Sequence, residues 1–189
     1  MTNAYNLDQK QLTKDSILGA LLIIMTKKEF KKISISEVSQ KAGVSRMAFY
    51  RNYEILEDVL IERLDTINRE YVQLIDQHPV DNYEMTKCYF SHMKAHSNFL
   101  IQLFEAGLTQ LVLDQLIDFL EELSENLICD IECTPEYRMY NIKFIAGGIF
   151  NVLMAWCKDG MAESEEQMAT LICERFSNHI TNIAPINQV

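Results

Sequence analysis

The sequence is short of the residues that break helices. Six Gly and three Pro among 189 residues is about half the usual share, so few tight turns and long helices are expected. The five Cys are odd in number, scattered at 88, 129, 133, 157 and 173, and form no CxxC pair. A reducing cytoplasm is the plain reading of that scatter. The start, MTNAYNLDQK, has no apolar stretch of the kind that makes a signal peptide. Nor is any apolar run long enough to cross a bilayer. The longest, Phe144 to Cys157, has fourteen residues between Lys143 and Lys158, against the roughly 20 that a span requires. It reads as a core or interface helix, and no membrane partner is expected.

Positive charge is also scarce overall. Seventeen Lys and Arg stand against 27 Asp and Glu, a net of −10, which taken whole argues against a surface that reads phosphates. The deficit is uneven. Residues 1–55 hold nine basic residues against five acidic, a net of +4, and the remainder holds eight against twenty-two, a net of −14. A small basic segment joined to an acidic body is the pattern of a nucleic-acid reader carried by a larger domain. An apolar share of 48% and a charged share of 23% are those of a globular chain with a genuine core.

Helical periodicity dominates. Ile17, Leu18, Leu21, Leu22 and Met25 mark one face of a helix over Thr13–Met25, and the basic run Lys27–Lys32 closes it where cations suit the dipole. Ser34 with Glu37 three residues on is a capping box, Gly43 suits a left-handed helix end, and Ser45 caps a short helix from Arg46 to about Tyr53. A long amphipathic helix follows from Leu56 to about Gln77, with Leu56, Val59, Leu60, Leu64, Ile67, Tyr71 and Leu74 inward. Pro79 breaks it. Further helices are expected from Asp81 or Asn82 to Ala95, from Asn98 to Ala106, and from Thr109 to Ile128. Thr134-Pro135-Glu136 starts one that stops near Gly160, and Ser164-Glu165-Glu166-Gln167 caps a last one to Ile180. The fold class is all-α with about nine helices.

Residues Ile33–Tyr53, ISISEVSQKAGVSRMAFYRNY, meet the requirements of a helix-turn-helix. Val38, Ala42, Val44 and Phe49 can pack two helices across the turn at Gly43. The second helix carries Arg46, Met47, Ala48, Tyr50, Arg51 and Asn52, a mixture with little use in a core. In a major groove, the arginines would grip guanine or phosphate, and Met47 or Ala48 would touch a thymine methyl. Tyr50 and Asn52 suit phosphate oxygens. With Ser34 and Ser45 at the two helix starts, these are the expected DNA-binding residues.

From Ile17 to Leu64 the chain resembles the DNA-binding domain of the TetR family of transcriptional regulators. The likeness is carried by Ile33–Ala42, Gly43-Val44-Ser45, Phe49-Tyr50-Arg51-Asn52-Tyr53 and Leu60. The resemblance implies a three-helix DNA-binding domain (1–55), and a ligand-binding and dimerisation domain (56–189). It also implies a homodimer held mainly by the last two helices, a palindromic double-stranded operator, and a small-molecule or protein effector that modulates DNA affinity. The expected role is that of a cytoplasmic transcriptional regulator, a repressor, with no enzymatic activity and no cofactor. The tail resembles one branch of the family, which includes an activator of dihydroxyacetone kinase genes, in Phe144-Ile145-Ala146-Gly147-Gly148, Trp156, Gly160 and Ser164-Glu165-Glu166. One departure stands out. Where the family often has a small capping residue and then a phosphate-binding Lys, this chain has Ile55 and Leu56, which predicts weaker non-specific affinity.

In the acidic body, Tyr89, Phe90, Met93, Phe104, Phe119, Tyr140, Phe144 and Trp156 are expected to line an effector pocket, though singly each also suits a helical core. Gly147 and Gly148 lie mid-helix, where each costs about 1 kcal/mol relative to Ala. A close helix approach at a dimer interface, with Ile149 and Val152, is the expected reason. His92 and His96 stand four apart. They read as ordinary polar residues, because no carboxylate sits within the motif and HExxH is absent. No metal site is expected, and a metal-dependent enzyme is the remote alternative. The nearer rival is a helical interaction protein that has lost DNA binding, favoured by Ile55 and Leu56. No GxxxxGK loop, GxSxG elbow or triad-like grouping occurs.

Overall fold

The structure, a computed structural model, describes residues 2–76, 81–127 and 135–180, and the side chains of 9–76, 81–123 and 137–174. Among the described residues it is all-helical, without strands. The helices are α1 (Thr2–Met25), α2 (Ile35–Ala42), α3 (Arg46–Tyr50), α4 (Leu56–Asp76), α5 (Asn82–Ala95), α6 (Ser97–Glu105), α7 (Thr109–Leu127), α8 (Pro135–Lys158) and α9 (Glu165–Ile180).

The expected elements are present, with four differences. α1 begins at Thr2 rather than Thr13. Its first half has no Gly or Pro to stop it and no apolar face to reveal it. The basic run does not close α1, whose last turn holds no basic residue. Instead Phe30 is buried and draws Phe30–Lys32 into a short 3-10 turn. α3 ends at Tyr50, with the N–H groups of Asn52 and Tyr53 turned back onto the Phe49 carbonyl at 2.8 and 3.0 Å. On α4, Leu74 is exposed rather than inward as expected, and its neighbour Ile75 is buried. Thr134, Cys129 and Cys133 lie outside the described residues.

The described residues fall into two units. The first runs up to Thr66 and takes in Gln102–Gln115; the second comprises Ile67–Ile101 and the described residues from Leu116 onward. In the first, α1 packs on α2 and α2 on α3, around Ile17, Leu21, Val38, Phe49 and Leu60, all fully buried. Apolar burial of this kind holds the unit together. Glu62 of α4 adds a polar clamp, its carboxylate accepting from Lys14 of α1 and from the phenol of Tyr53.

In the second unit α5 packs on α9. Of the tail residues that resemble the TetR branch, Trp156, Gly160 and Ser164-Glu165-Glu166 form a corner there. Trp156 is buried, edge-on to Phe90 with ring centroids 5.4 Å apart, and its indole N–H donates to the Glu163 carbonyl at 3.1 Å. Gly160, at φ +73°, ends α8 in the left-handed region that favours glycine. Ser164 and Gln167 form the capping box of α9 at 3.3 and 2.8 Å. Glu165 and Glu166 then pair with Lys94 and Lys87 of α5, at 2.9 and 3.3 Å.

Candidate nucleic-acid interface

The helix-turn-helix is built by local chemistry. Ser34 Oγ accepts the Glu37 N–H at 3.3 Å, and the Glu37 carboxylate accepts the Ser34 N–H at 3.0 Å, satisfying two donors at the start of α2. Lys28 donates to the same carboxylate at 2.7 and 2.8 Å. These bonds, that of Lys28 first, hold the Glu37 carboxyl below the usual carboxylate range. Gly43 sits at φ +69°, and the Val44 N–H returns to the Ser39 carbonyl at 3.0 Å, so the chain reverses sharply. Ser45 Oγ accepts the Ala48 N–H at 3.0 Å and starts α3.

α3 is anchored along one side and open along the other. Phe49 is fully buried and Tyr53 nearly so, their rings 5.7 Å apart. Of the eight expected DNA-binding residues, Ser34, Ser45, Arg46, Met47, Tyr50 and Arg51 are exposed, Met47 by 65% and Tyr50 by 55%. Ala48 and Asn52 are half-buried, and the Asn52 amide donates back to the Ala48 carbonyl at 2.8 Å, away from the open face. Sequence reasoning missed the role of Lys28, which straps the loop to α2.

The start of α4 has a different chemistry. Leu56 is buried and Ile55 is 51% exposed. With no capping hydroxyl at Ile55, the Asp58 carboxylate reaches back and accepts the N–H groups of Glu54 and Ile55 at 2.8 and 3.0 Å. A surface depression of about 340 Å³ lies beside it, lined by Phe30, Lys31, Ile33, Ile35, Ile55, Leu56 and Glu57.

The expected pocket residues fall in both units. Phe90, Met93, Phe119 and Trp156 are buried and Tyr89 half-buried in the second unit, whereas Phe104 belongs to the first. Tyr71 packs edge-on to Tyr89 and Phe119 with centroids 5.5 and 6.0 Å apart, and Tyr89 meets Phe90 at 5.8 Å. Burial pushes the Tyr71 and Tyr89 phenols up and the Cys157 thiol to about 11. Tyr140 and Phe144 do not join this cluster. They are 64% and 67% exposed, at four-residue spacing from exposed Gly148 and so on its face of α8. Gly147, Ile149 and Val152 are half-buried beside that face.

One cluster in the second unit was not foreseen. Glu70 of α4 joins His92 and His96 of α5, one carboxylate oxygen and one nitrogen of each ring lying within 4.8 Å of one another. No spacing motif on α5 could reveal a carboxylate on another helix.

A capped helix, a left-handed glycine turn and a short helix with an open polar face, set in an all-helical chain, define the fold of a helix-turn-helix transcriptional regulator. Residues 81–178 match the family model of the TetR-type transcriptional regulator C-terminal region. The chain belongs to the TetR family of transcriptional regulators. Solved structures agree on the fold. Lin0861 from Listeria innocua is 15% identical, with a TM-score of 0.77, over 89% of this chain and 91% of its own. The dihydroxyacetone kinase operon activator DhaS is 17% identical, with a TM-score of 0.52, over 89% and 96%. NalD from Pseudomonas aeruginosa, the secondary repressor of the MexAB-OprM multidrug efflux pump, is 18% identical, with a TM-score of 0.54, over 90% and 96%. No match was found among curated proteins. Among the described residues, no helix is long and apolar enough to cross a membrane.

Proposed function

We propose that this chain is a homodimeric, sequence-specific DNA-binding regulator of transcription, a repressor working in the cytoplasm rather than an enzyme. Residues 1–55 read a palindromic operator, and residues 56–189 dimerise and respond to a small-molecule or protein effector. The observation that carries the reading is the two-sided α3, held in the core by Phe49 and presenting Arg46, Met47, Tyr50 and Arg51 outward. Ser34 and Ser45, at the two helix starts, complete the contact set, with Ala48 facing a thymine methyl. Asn52 joins phosphate only if its amide leaves the Ala48 carbonyl. The net of +4 on residues 1–55 supports the reading, because each phosphate neutralised releases counterions.

Dimerisation is supported by the α8 face bearing Tyr140, Phe144 and Gly148. Among the described residues, a Cβ added at Gly147 meets nothing within 4 Å beyond its own helix backbone and chain neighbours, which leaves room for a second copy. The effector acts on the second unit, where Tyr89, Phe90, Met93, Phe119 and Trp156 gather.

The test is a mobility shift on the chain's own promoter region. Arg46→Ala and Tyr50→Ala should weaken binding, and each lost phosphate contact should flatten the log–log salt slope by about 0.9. A dimer with no salt-sensitive preference for any operator-like sequence defeats the reading. In that event, the exposed Ile55 beside its apolar depression favours the rival, a helical protein that docks a partner.

A further inference from the structure

We propose that Glu70, His92 and His96 form a three-ligand site for a divalent transition metal of the zinc class. The site leaves a fourth position open to water or to an oxygen or nitrogen donor from an effector.

Geometry comes first. His92 and His96 are four apart on α5, so both imidazoles project from one face. Their rings meet edge-to-face with centroids 4.7 Å apart. Glu70 arrives from α4, its Oε2 lying 3.1 Å from His96 Nε2. Ligand atoms about 2.0–2.1 Å from a tetrahedral ion stand roughly 3.3 Å from one another. The His96–Glu70 edge is therefore already close to the length a metal would set. The third ligand atom, a ring nitrogen of His92, lies within 4.8 Å of both others, so side-chain rotation is needed to close the triangle.

The second nitrogen of His92 points to the same use. His92 Nε2 is 2.8 Å from the Ile67 carbonyl. A carbonyl oxygen only accepts, so Nε2 carries the proton and the lone pair is on Nδ1. A ring N–H held by a backbone carbonyl is the outer-shell arrangement that orients a metal-binding histidine. The Tyr71 ring, with its centroid 6.2 Å from that of His92, flanks the same imidazole.

A plain ion pair explains less. Glu70 and His96 suffice for one, and it has no need of the second imidazole packed against the first. Two neutral imidazoles and one carboxylate around a divalent cation leave a single net positive charge and use every group. Two nitrogens and one oxygen suit zinc, cobalt, nickel or copper, whereas magnesium and calcium take oxygen ligands throughout. The half-buried setting of all three residues keeps the open position reachable.

The site lies wholly in the second unit, and its existence does not depend on DNA binding. The experiment therefore reads the metal directly, on the full chain stripped with a chelator. Zinc titrated in competition with a chromophoric chelator should bind once per protomer, and magnesium should not compete. Cobalt should give the visible ligand-field spectrum of a tetrahedral ion, without thiolate-to-cobalt charge transfer from any of the five cysteines. His92→Gln, His96→Gln and Glu70→Gln should each abolish the cobalt spectrum and weaken zinc by more than the roughly 10- to 100-fold that losing an outer-shell partner costs. Fluorescence of Trp156, the only tryptophan, reports whether each variant keeps its fold. Zinc bound equally well by the folded variants, a thiolate cobalt spectrum, or no stoichiometric binding overturns the proposal.

Discussion

Lys28 donates to both carboxylate oxygens of Glu37, at 2.7 and 2.8 Å, and so ties the loop before α2 to the first turn of that helix. The same carboxylate accepts the Ser34 N–H, so one side chain both caps α2 and fixes its approach. Its pKa lies below the ordinary carboxylate value, first because of Lys28 and then Ser34. Glu37 therefore adds stability that is present above its unfolded pKa and is lost as pH falls through the folded one. In Glu37→Gln, the fall in stability on the acid side, followed by urea midpoints, should be shallower than in the parent. An unchanged slope would show that the pair is electrostatically idle. Ser34→Ala, which removes the other half of the cap, should cost about 1 kcal/mol at neutral pH.

Ser39 is buried on α2, and its hydroxyl has no hydrogen-bond partner among the described residues. A buried polar group left unsatisfied costs about 1–3 kcal/mol, and Ala is the better helix former. Ser39→Ala should therefore add on the order of 1 kcal/mol of stability, read as a higher denaturant midpoint. A drop would mean that the hydroxyl is satisfied in solution.

Phe144 and Gly147 test the α8 face in opposite ways. Phe144→Ser removes an exposed ring from that face, so the dimer should dissociate at higher concentration. Gly147→Ala fills open space within the protomer and should strengthen the helix by about 1 kcal/mol, yet crowd a second copy. Sedimentation velocity over a concentration series reads both. Equal dimer populations in the parent and in both variants would place the interface elsewhere.

Cys157 is buried, with its thiol pushed up to about 11 by burial, so it is neutral and shielded near pH 8. In the native protein, iodoacetamide should modify half-buried Cys173 well before Cys157, as read by mass spectrometry of the digested chain. Cys157 should react only when the fold opens. Equal labelling rates would show that the α8 corner opens readily.

The elements with a chemical signature of their own were legible from the residues. Ser34, Glu37, Gly43, Ser45, Pro135, Ser164 and Gln167 act within a turn of where they stand in the chain, and each occupies the end or start assigned to it. The apolar face of α4 was equally plain until its last turn, where Leu74 is exposed and Ile75 buried. What failed was long-range. Tyr140 and Phe144 were grouped with the core aromatics by residue type, yet they share a face with Gly148. Lys28 was read as part of the run that closes α1 and is half of an ion pair with Glu37.

The sequence by itself determined the all-helical class, the capped helix-turn-helix and the split of charge between +4 and −14. Capping, left-handed turns and 3.6-residue periodicity are local, and local rules are written in neighbouring residues. Only the tertiary structure decided that Glu70 meets His92 and His96, that Glu62 gathers Lys14 and Tyr53, and that Asn52 turns inward. The first two join side chains from separate elements of the fold. Asn52 turns inward because α3 stops at Tyr50, one turn earlier than its pattern implied, where Phe49 and Tyr53 are drawn into the core. Such meetings depend on how apolar faces pack, and packing is a property of the whole chain.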